Sequence, residues 1–265
     1  MQLQGSTALL TGATGGIGRA VAHALDARGA RLLVSGRRAE RLEELRRQLD
    51  GRVESLPADL AEPGAVQRLA ERAGAVDVLV ANAALPASGE LTSFSAEEID
   101  RALAVNLRAP IMLARLLAPA MTERGAGHLV FVSSLSGKAA GPHSSLYSAT
   151  KFGLRGFSLG LRQDLAEHGV GVSCVFPGFV RDAGMFADSG AKLPPGVGTI
   201  APEAVAAGII RAIERDRAEV DVAPLALKAG ARLSGLAPGL TANVQGKLGS
   251  FKVAKAIGAG QRDKR

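Results

Sequence analysis

The sequence predicts an α/β fold in which a doubly wound, seven-stranded parallel sheet carries helices on both faces. Two observations point there. Short apolar runs alternate with segments of helical spacing from one end of the chain to the other, the pattern of a parallel sheet covered on each side. The chain has 265 residues, 47% of them hydrophobic, which is enough for one large core. No internal repeat, low-complexity tract or linker divides it, so residues 1–265 read as a single domain. The rhythm runs over about residues 5–223, and residues 224–265 form a C-terminal extension that breaks it.

The clearest strand-like runs are Thr7–Thr11, Arg31–Ser35, Val76–Ala81, Leu129–Ser133, Val170–Phe176 and Val220–Ala223, with Val53–Leu56 a weaker one. Between them Ile17, Val21 and Leu25 lie four apart, and Leu42, Leu45 and Leu49 share a helical face. Residues Glu97–Leu117 read as one helical stretch. Gly29 stands where a helix should stop, and Pro63 and Pro202 where helices should start. With no Trp, one Tyr and eight Phe, the core is built mainly of Ala, Val, Leu and Ile, and 33 Gly assist close packing.

Several classes are excluded or disfavoured early. Cys174 is the single cysteine, so no disulfide framework exists within the chain. It has no visible partner or adjacent base and reads as a small buried hydrophobe. Met1–Gly5 lacks the basic region and long apolar stretch of a signal peptide. No apolar run reaches the roughly 18–20 residues of a membrane span, and a cytoplasmic location is the default expectation. The net charge is +7 and the pI about 10.1. The basic residues are spread over helical segments (Arg37, Arg38, Arg41, Arg46, Arg47) and the last residues (Arg262, Lys264, Arg265), without aromatic interleaving or a reading helix. Nucleic acid is not the expected partner, and the positive field suits phosphorylated ligands. His23, His128, His143 and His168 show neither a triad partner nor metal-ligand spacing, so no metal site is expected.

The first strand runs straight into T-G-A-T-G-G-I-G, residues Thr11–Gly18, with a helical pattern starting at Ile17. Glycine at 12, 16 and 18 lets the backbone turn tightly and approach a pyrophosphate. A helix N-terminus then presents free N–H groups and partial positive charge to the phosphates. A bare turn would use glycines too; the position between first strand and first helix favours a nucleotide site. The spacing is G-x-x-x-G-x-G, and here the chain resembles the short-chain dehydrogenase/reductase family, whose glycine motif is TGxxxGIG. On that resemblance Thr11, Gly12, Thr14, Gly16, Ile17 and Gly18 form the cofactor loop.

The second strand ends Val34-Ser35-Gly36-Arg37-Arg38, without the carboxylate that would bind the ribose 2′-hydroxyl of NAD. Arg37, with Arg38 beside it, suits a 2′-phosphate, so NADP (NADPH) is expected over NAD; a plain polar helix start is the alternative. The resemblance further implies that Asp59 and Leu60 contact the adenine. Ala81-Asn82-Ala83-Ala84 is similar to the family's NNAG turn, with Asn82 retained and Ala81 and Ala84 departing from it. Pro177 and Gly178, with Val180 after them, resemble the PG segment over the nicotinamide. Where the family commonly has Thr, four residues after that glycine, this chain has Asp182. A carboxylate cannot donate a hydroxyl's hydrogen bond.

The segment Y-S-A-T-K puts Tyr147 and Lys151 at i and i+4, on one helix face. A neighbouring ammonium favours phenolate, which would bring a phenol of ordinary pKa about 10 toward use as a base. Such a pair alone is commonplace on helix surfaces. Ser134, thirteen residues before Tyr147, has the family's register for the serine that holds the substrate oxygen. Asn106, mid-helix where Asn has poor propensity, is by resemblance the fourth member, holding a bend and a water that links Lys151 to solvent; a packing Asn is the alternative. The combination implies a Rossmann-type oxidoreductase that interconverts an alcohol and a carbonyl, assembled as a homotetramer or homodimer through its long helices. A non-catalytic NADP-binding redox sensor is the competing class, and it would have no need of a proton-transfer group. Phe179–Ile200 is the expected substrate loop, and its Phe179, Met185, Phe186, Leu193, Pro194 and Pro195 suggest a lipophilic substrate. In the extension, Leu225, Leu227, Leu233, Leu236, Leu240, Val244, Leu248, Phe251 and Val253 recur at roughly helical spacing. Lys228, Arg232, Lys247, Lys252 and Lys255 lie among them. Helices closing the pocket or an oligomer interface are expected there in preference to peripheral membrane contact.

Overall fold

Strands β1 (Thr7–Thr11), β2 (Arg31–Gly36), β3 (Val53–Pro57), β4 (Val78–Ala81), β5 (Gly127–Val132), β6 (Val170–Pro177) and β7 (Glu219–Val222) make one parallel sheet in the computed structural model. The structure describes residues 1–194, 196–236 and 250–264. Strand order is β3-β2-β1-β4-β5-β6-β7, and the direction of progression reverses between β1 and β4. In sheets of this kind the crevice at the strands' carboxyl ends beside that reversal is where ligands bind. Leu10 is in register with Val34 on one side and Val80 on the other.

Alternation along the strands divides the core in two. Leu10, Leu32, Val34, Val80, Val130 and Val175 face α1 (Gly16–Asp26), α2 (Ala39–Arg46) and α8 (Pro202–Glu214). Leu9, Leu33, Leu79, Phe131 and Phe176 face α3 (Ala65–Ala73), α5 (Ala109–Arg124) and α6 (Ser145–Leu165). Side chains on successive strand residues point to opposite faces, so both sides of nearly every strand must be apolar. A fully buried Leu contributes roughly 1.5–3 kcal/mol, so the two layers dominate stability.

The expected single helix Glu97–Leu117 is not continuous. It starts at α4 (Ala96–Leu103), behind a capping box in which Ser95 Oγ accepts from the Glu98 amide and Glu98 accepts from the Ser95 amide. It then widens into a π-helical turn, Ala104–Arg108, before α5. The cause lies in the chain: Pro110 has no N–H to give to the carbonyl of Asn106 four residues earlier. The Ala109 amide reaches back five residues to the Ala104 carbonyl. Together, Ala96–Arg124 is 29 residues long and apolar enough by length and composition to cross a membrane, which the sequence reading did not anticipate. Half of its most apolar window is buried, with α5 packed on α3, α6, β5 and β6.

After β6 comes a short helix, α7 (Met185–Asp188). The extension is helical at α9 (Leu225–Leu236) and α10 (Ser250–Gly260). Its expected apolar positions Leu240, Val244 and Leu248, with Lys247, lie outside the described residues, as does Pro195 of the substrate loop. Leu225, Leu233 and Phe251 are largely exposed, so part of the expected apolar face is not buried in the fold.

Candidate active site

The carboxyl ends of β1 and β4 are laced together by two of the expected cofactor residues. Thr11 is buried, and its Oγ1 accepts the Asn82 and Ala83 amides at 3.2 and 3.1 Å. Asn82 Nδ2 donates to the carbonyls of Thr11 and Gly12 at 3.1 and 3.2 Å. Both side chains therefore shape the glycine turn from within. Gly12 sits at φ +66°, and a Cβ there would stand 2.8 Å from Ala83 Cα. A Cβ on Gly18 would collide with the Gly12 carbonyl, and one on Gly16 with the Ala183 methyl. The segment after β6 therefore lies directly against the glycine turn. Gly36, at the end of β2, approaches Thr14, whose Oγ1 would be 3.3 Å from an added Cβ. Ile17 is half-buried in the first turn of α1. Helix α1 begins there with no side-chain cap and no acidic residue in its first turn. Its N-terminus is thus left to an external anion.

Arg37 and Arg38 are exposed at the next crevice wall, and neither is ion-paired to a carboxylate among the described residues. Leu60 is in the core, 9% exposed. Asp59, expected near the adenine, is held by Arg101 at 2.7 Å. Burial works to raise the Asp59 pKa, but the Ala61 amide, Arg101 and the nearby Arg37 together hold it below the usual carboxylate value. Arg101 was not apparent from the sequence, being forty-two residues away on α4. These features fit a dinucleotide: a glycine-rich turn, an uncapped helix start and two exposed guanidiniums at the end of β2.

At the end of β5, Ser134 precedes a 3₁₀ turn, and its Oγ accepts from the Ser136 amide at 3.1 Å. Adjacent Ser133 is buried and donates to the Lys151 carbonyl at 3.0 Å, so of the two serines it is Ser134 that faces Tyr147. Helix α6 carries Tyr147 and Lys151 on one face. Burial pushes the Tyr147 phenol up to about 12, and hydrogen bonding with Ser134 offsets part of that. Burial likewise pushes Lys151, 2% exposed, down to about 8. The Lys151 ammonium donates to the Val132 carbonyl at 3.0 Å and lies 5.6 Å from the Tyr147 ring centroid. The expected lowering of the phenol pKa by Lys151 is therefore not present in this arrangement: the ammonium is on the carbonyl, and desolvation dominates.

Asn106, in the π turn and 1% exposed, has both ends of its side-chain amide paired with one residue. Its Oδ1 accepts the Leu85 amide at 2.6 Å and its Nδ2 donates to the Leu85 carbonyl at 2.9 Å. Asn106 thus fixes the segment leaving β4, and that segment reaches the site. The Ala87 carbonyl accepts from the Tyr147 amide at 3.2 Å, and the Gly89 amide donates to the His143 carbonyl at 2.6 Å. The signal for this role was Pro110, which forces the bend.

On the far wall, the Gly178 amide following Pro177 donates to the Val222 carbonyl, and buried Val180 bridges to Ile200. The Phe179 and Phe186 rings pack tilted against each other, their centroids 5.0 Å apart. Asp182 adopts φ +67° and pairs with Arg181 at 3.2 Å, facing solvent. Two other titratable groups are structural. Burial pushes the Cys174 thiol up to about 12, and His128, 2.8 Å from Ser173 Oγ, is held down to about 4 by burial.

Residues 6–193 match the family model described as short chain dehydrogenase. A ketoacyl reductase, HetN, of Nostoc sp. is 35% identical over 227 residues, covering 83% of this chain and 79% of that one. A short-chain dehydrogenase from Sphingobium yanoikuyae in complex with NADPH superposes with a TM-score of 0.77 at 30% identity, covering 89% of this chain and 94% of that one. A family protein from Burkholderia phymatum in complex with NAD gives a TM-score of 0.79 at 26% identity, over 91% and 96% of the two chains.

Proposed function

The chain belongs to the short-chain dehydrogenase/reductase family and is an oxidoreductase, and from that premise we propose that it interconverts an alcohol with a ketone or aldehyde, using NADP in preference to NAD. The observation that carries the reading is the meeting of Ser134, Tyr147 and Lys151 at the carboxyl end of β5, on the crevice that the glycine turn opens. When bound, a nicotinamide cofactor supplies or accepts the hydride. The glycine turn and α1 N-terminus hold its pyrophosphate, and Arg37 with Arg38 its 2′-phosphate.

Ser134 Oγ holds the substrate oxygen and stabilises the charge that develops on it. Tyr147 moves the proton. At a pKa of about 12 the phenol is protonated throughout the physiological range, the form that donates to a carbonyl oxygen. In both directions the phenol is left as or starts as phenolate, the product of proton donation to a carbonyl and the base for an alcohol. The Lys151 ammonium must therefore leave the Val132 carbonyl for the phenol oxygen, where it favours phenolate. Asn106 positions the Leu85–Gly89 wall against the Tyr147 amide.

NADP preference is supported by the missing acid after β2, and by the NADPH held by the Sphingobium relative; the Burkholderia relative holds NAD. Phe179, Met185, Phe186, Leu193 and Pro194 favour a lipophilic substrate. Exposed Phe152 on α6, beside Gly153 and Gly156, supports assembly of two or four copies through the long helices.

The test is loss of reduced-nicotinamide absorbance with NADPH and a panel of ketones and aldehydes that includes acetophenone. Tyr147→Phe should lower turnover by roughly 100-fold or more, with NADPH affinity and thermal stability unchanged. Near-normal turnover in that variant would place the proton transfer elsewhere. NADPH binding without turnover of any panel member would favour the sensor.

A further inference from the structure

The last turn of α10 is wedged between the two loops that wall the substrate crevice. On one side is buried Gly258, where an added Cβ would stand 3.0 Å from Gly89 Cα and 3.3 Å from the Ser88 carbonyl oxygen. On the other side is Gly260, where a Cβ would collide with the Ser189 carbonyl. The following residue, Gln261, is 3% exposed, and its Nε2 donates to the Met185 carbonyl at 2.9 Å. At the opposite end of the helix, the Phe251 ring meets His143 edge-on at 6.0 Å between centroids. One loop, Ala87–Gly89, is hydrogen-bonded to Tyr147 and His143 through the backbone. The other, Met185–Gly190, contains α7 and carries two of the apolar residues expected against substrate.

We propose that Gln261 is a positioning residue that latches the Met185–Gly190 loop to the Tyr147 side of the crevice through the end of α10. A four-residue helix such as α7 has little internal stability, because helix formation needs a costly nucleus before bonds accumulate. Its two flanking glycines, Gly184 and Gly190, both lie at positive φ, so the segment is a pair of turns around one helical turn. The Gln261 bond is a side-chain anchor on that turn from a distant part of the chain, seventy-six residues away. Glycines at 258 and 260 let the helix backbone come close enough for Gln261 to reach. A side chain at either would lever the helix out. Gln261 Oε1 is buried without a hydrogen-bond partner among the described residues, an arrangement that costs stability and is not what packing alone would select. The inference rests on the reading of this crevice as the substrate site, since a latched loop there sets how tightly a substrate is held and not how its proton moves.

Backbone hydrogen exchange on the full-length protein tests the latch without reference to turnover. In Gln261→Met, amides of 185–190 should exchange about tenfold faster, while peptides from β4, β5 and β6 stay protected. Gly260→Val should release the same segment by pushing on the Ser189 carbonyl. Should Gln261→Met accelerate exchange everywhere by unfolding the chain, Gly260→Val carries the test alone. With acetophenone and NADPH, either variant should raise KM severalfold and change kcat by less than about twofold. Wild-type exchange at 185–190 in both variants would overturn the latch, as would a fall in kcat at unchanged KM. Failure of every ketone in the panel would instead count against the proposed function, and the exchange result would still decide the latch.

Discussion

Two buried lysines, thirteen residues apart, show how differently this fold treats the same charge. Lys138, 6% exposed, is surrounded by carboxylates: its Nζ lies 2.6 Å from Asp221 and 2.9 Å from Glu219, and 4.0 Å from the Phe176 ring centroid. Glu219 is in turn gripped by Arg155 at 2.6 Å, and Asp221 by Arg232 at 3.4 Å. Burial would raise the Glu219 pKa, but Arg155 and Lys138 outweigh it and hold the carboxyl below its ordinary value. Lys151, 2% exposed, has one neutral carbonyl and a phenol ring whose centroid is 5.6 Å away. Its ammonium is under-partnered, and burial pushes it down to about 8. A buried charge with matched counter-charges joins β7, α6, α9 and the turn after Ser134 into one block. A buried charge without them sits near its own titration point, the condition that suits proton chemistry.

The strongest way to break that comparison is to remove the well-paired lysine. Lys138→Met should destabilise the fold by about 3–5 kcal/mol, because the buried Asp221 carboxylate and the half-buried Glu219 carboxylate are left facing an apolar side chain. Denaturant unfolding of variant and wild type measures it. A loss under about 1 kcal/mol would mean that water or Arg155 and Arg232 already satisfy the carboxylates, and the distinction between the two sites would fall.

A smaller effect sharpens the electrostatics at the end of β2, where the Arg37 and Arg38 guanidiniums are exposed. Arg37→Ala should weaken NADPH binding by about 1.5–3 kcal/mol, the range for a hydrogen bond to a charged group, and leave NADH nearly unchanged. Titration calorimetry with both cofactors separates the outcomes. Equal loss for the two would reduce Arg37 to a polar helix start that also biases Asp59.

The contrast also explains how far the sequence could be read. The sheet was legible because parallel strands buried on both faces must be apolar throughout, and Leu9 and Leu10, facing opposite cores, show that demand in two adjacent residues. The Ser134–Tyr147–Lys151 register was legible because it is local, set by one strand end and one helix. The Lys138 cluster was not, since its partners lie eighty-one and eighty-three residues away on an edge strand, and nothing in a lysine's neighbours announces them. The Arg101 grip on Asp59 is hidden for the same reason. Asn106 was singled out for poor helix propensity, and the bend around it was expected from the resemblance alone. Pro110 held the missing information, because a proline one turn on leaves the Asn106 carbonyl without its α-helical donor. The latch at Gln261 depends on glycines whose spacing suggests only a flexible tail until Gly89 and Ser189 are seen on either side.

The under-partnered lysine is where the account is most exposed, and Lys151→Met tests it with stability and turnover measured on one sample. In wild type the folded-state pKa of about 8 lies below the ordinary 10.5, so the ammonium opposes folding fully below pH 8. That opposition fades as pH rises from 8 to 10.5, because the unfolded chain then binds the proton that the folded chain has released. Lys151→Met should therefore raise stability by about 1–3 kcal/mol at pH 7, with a gain that shrinks toward pH 10.5. NADPH-dependent turnover of the ketone panel should fall by roughly 100-fold or more in the same protein. A Lys151→Met variant that is less stable than wild type at pH 7 and still turns over ketones would contradict the account, because Lys151 would then be a structural lysine like Lys138.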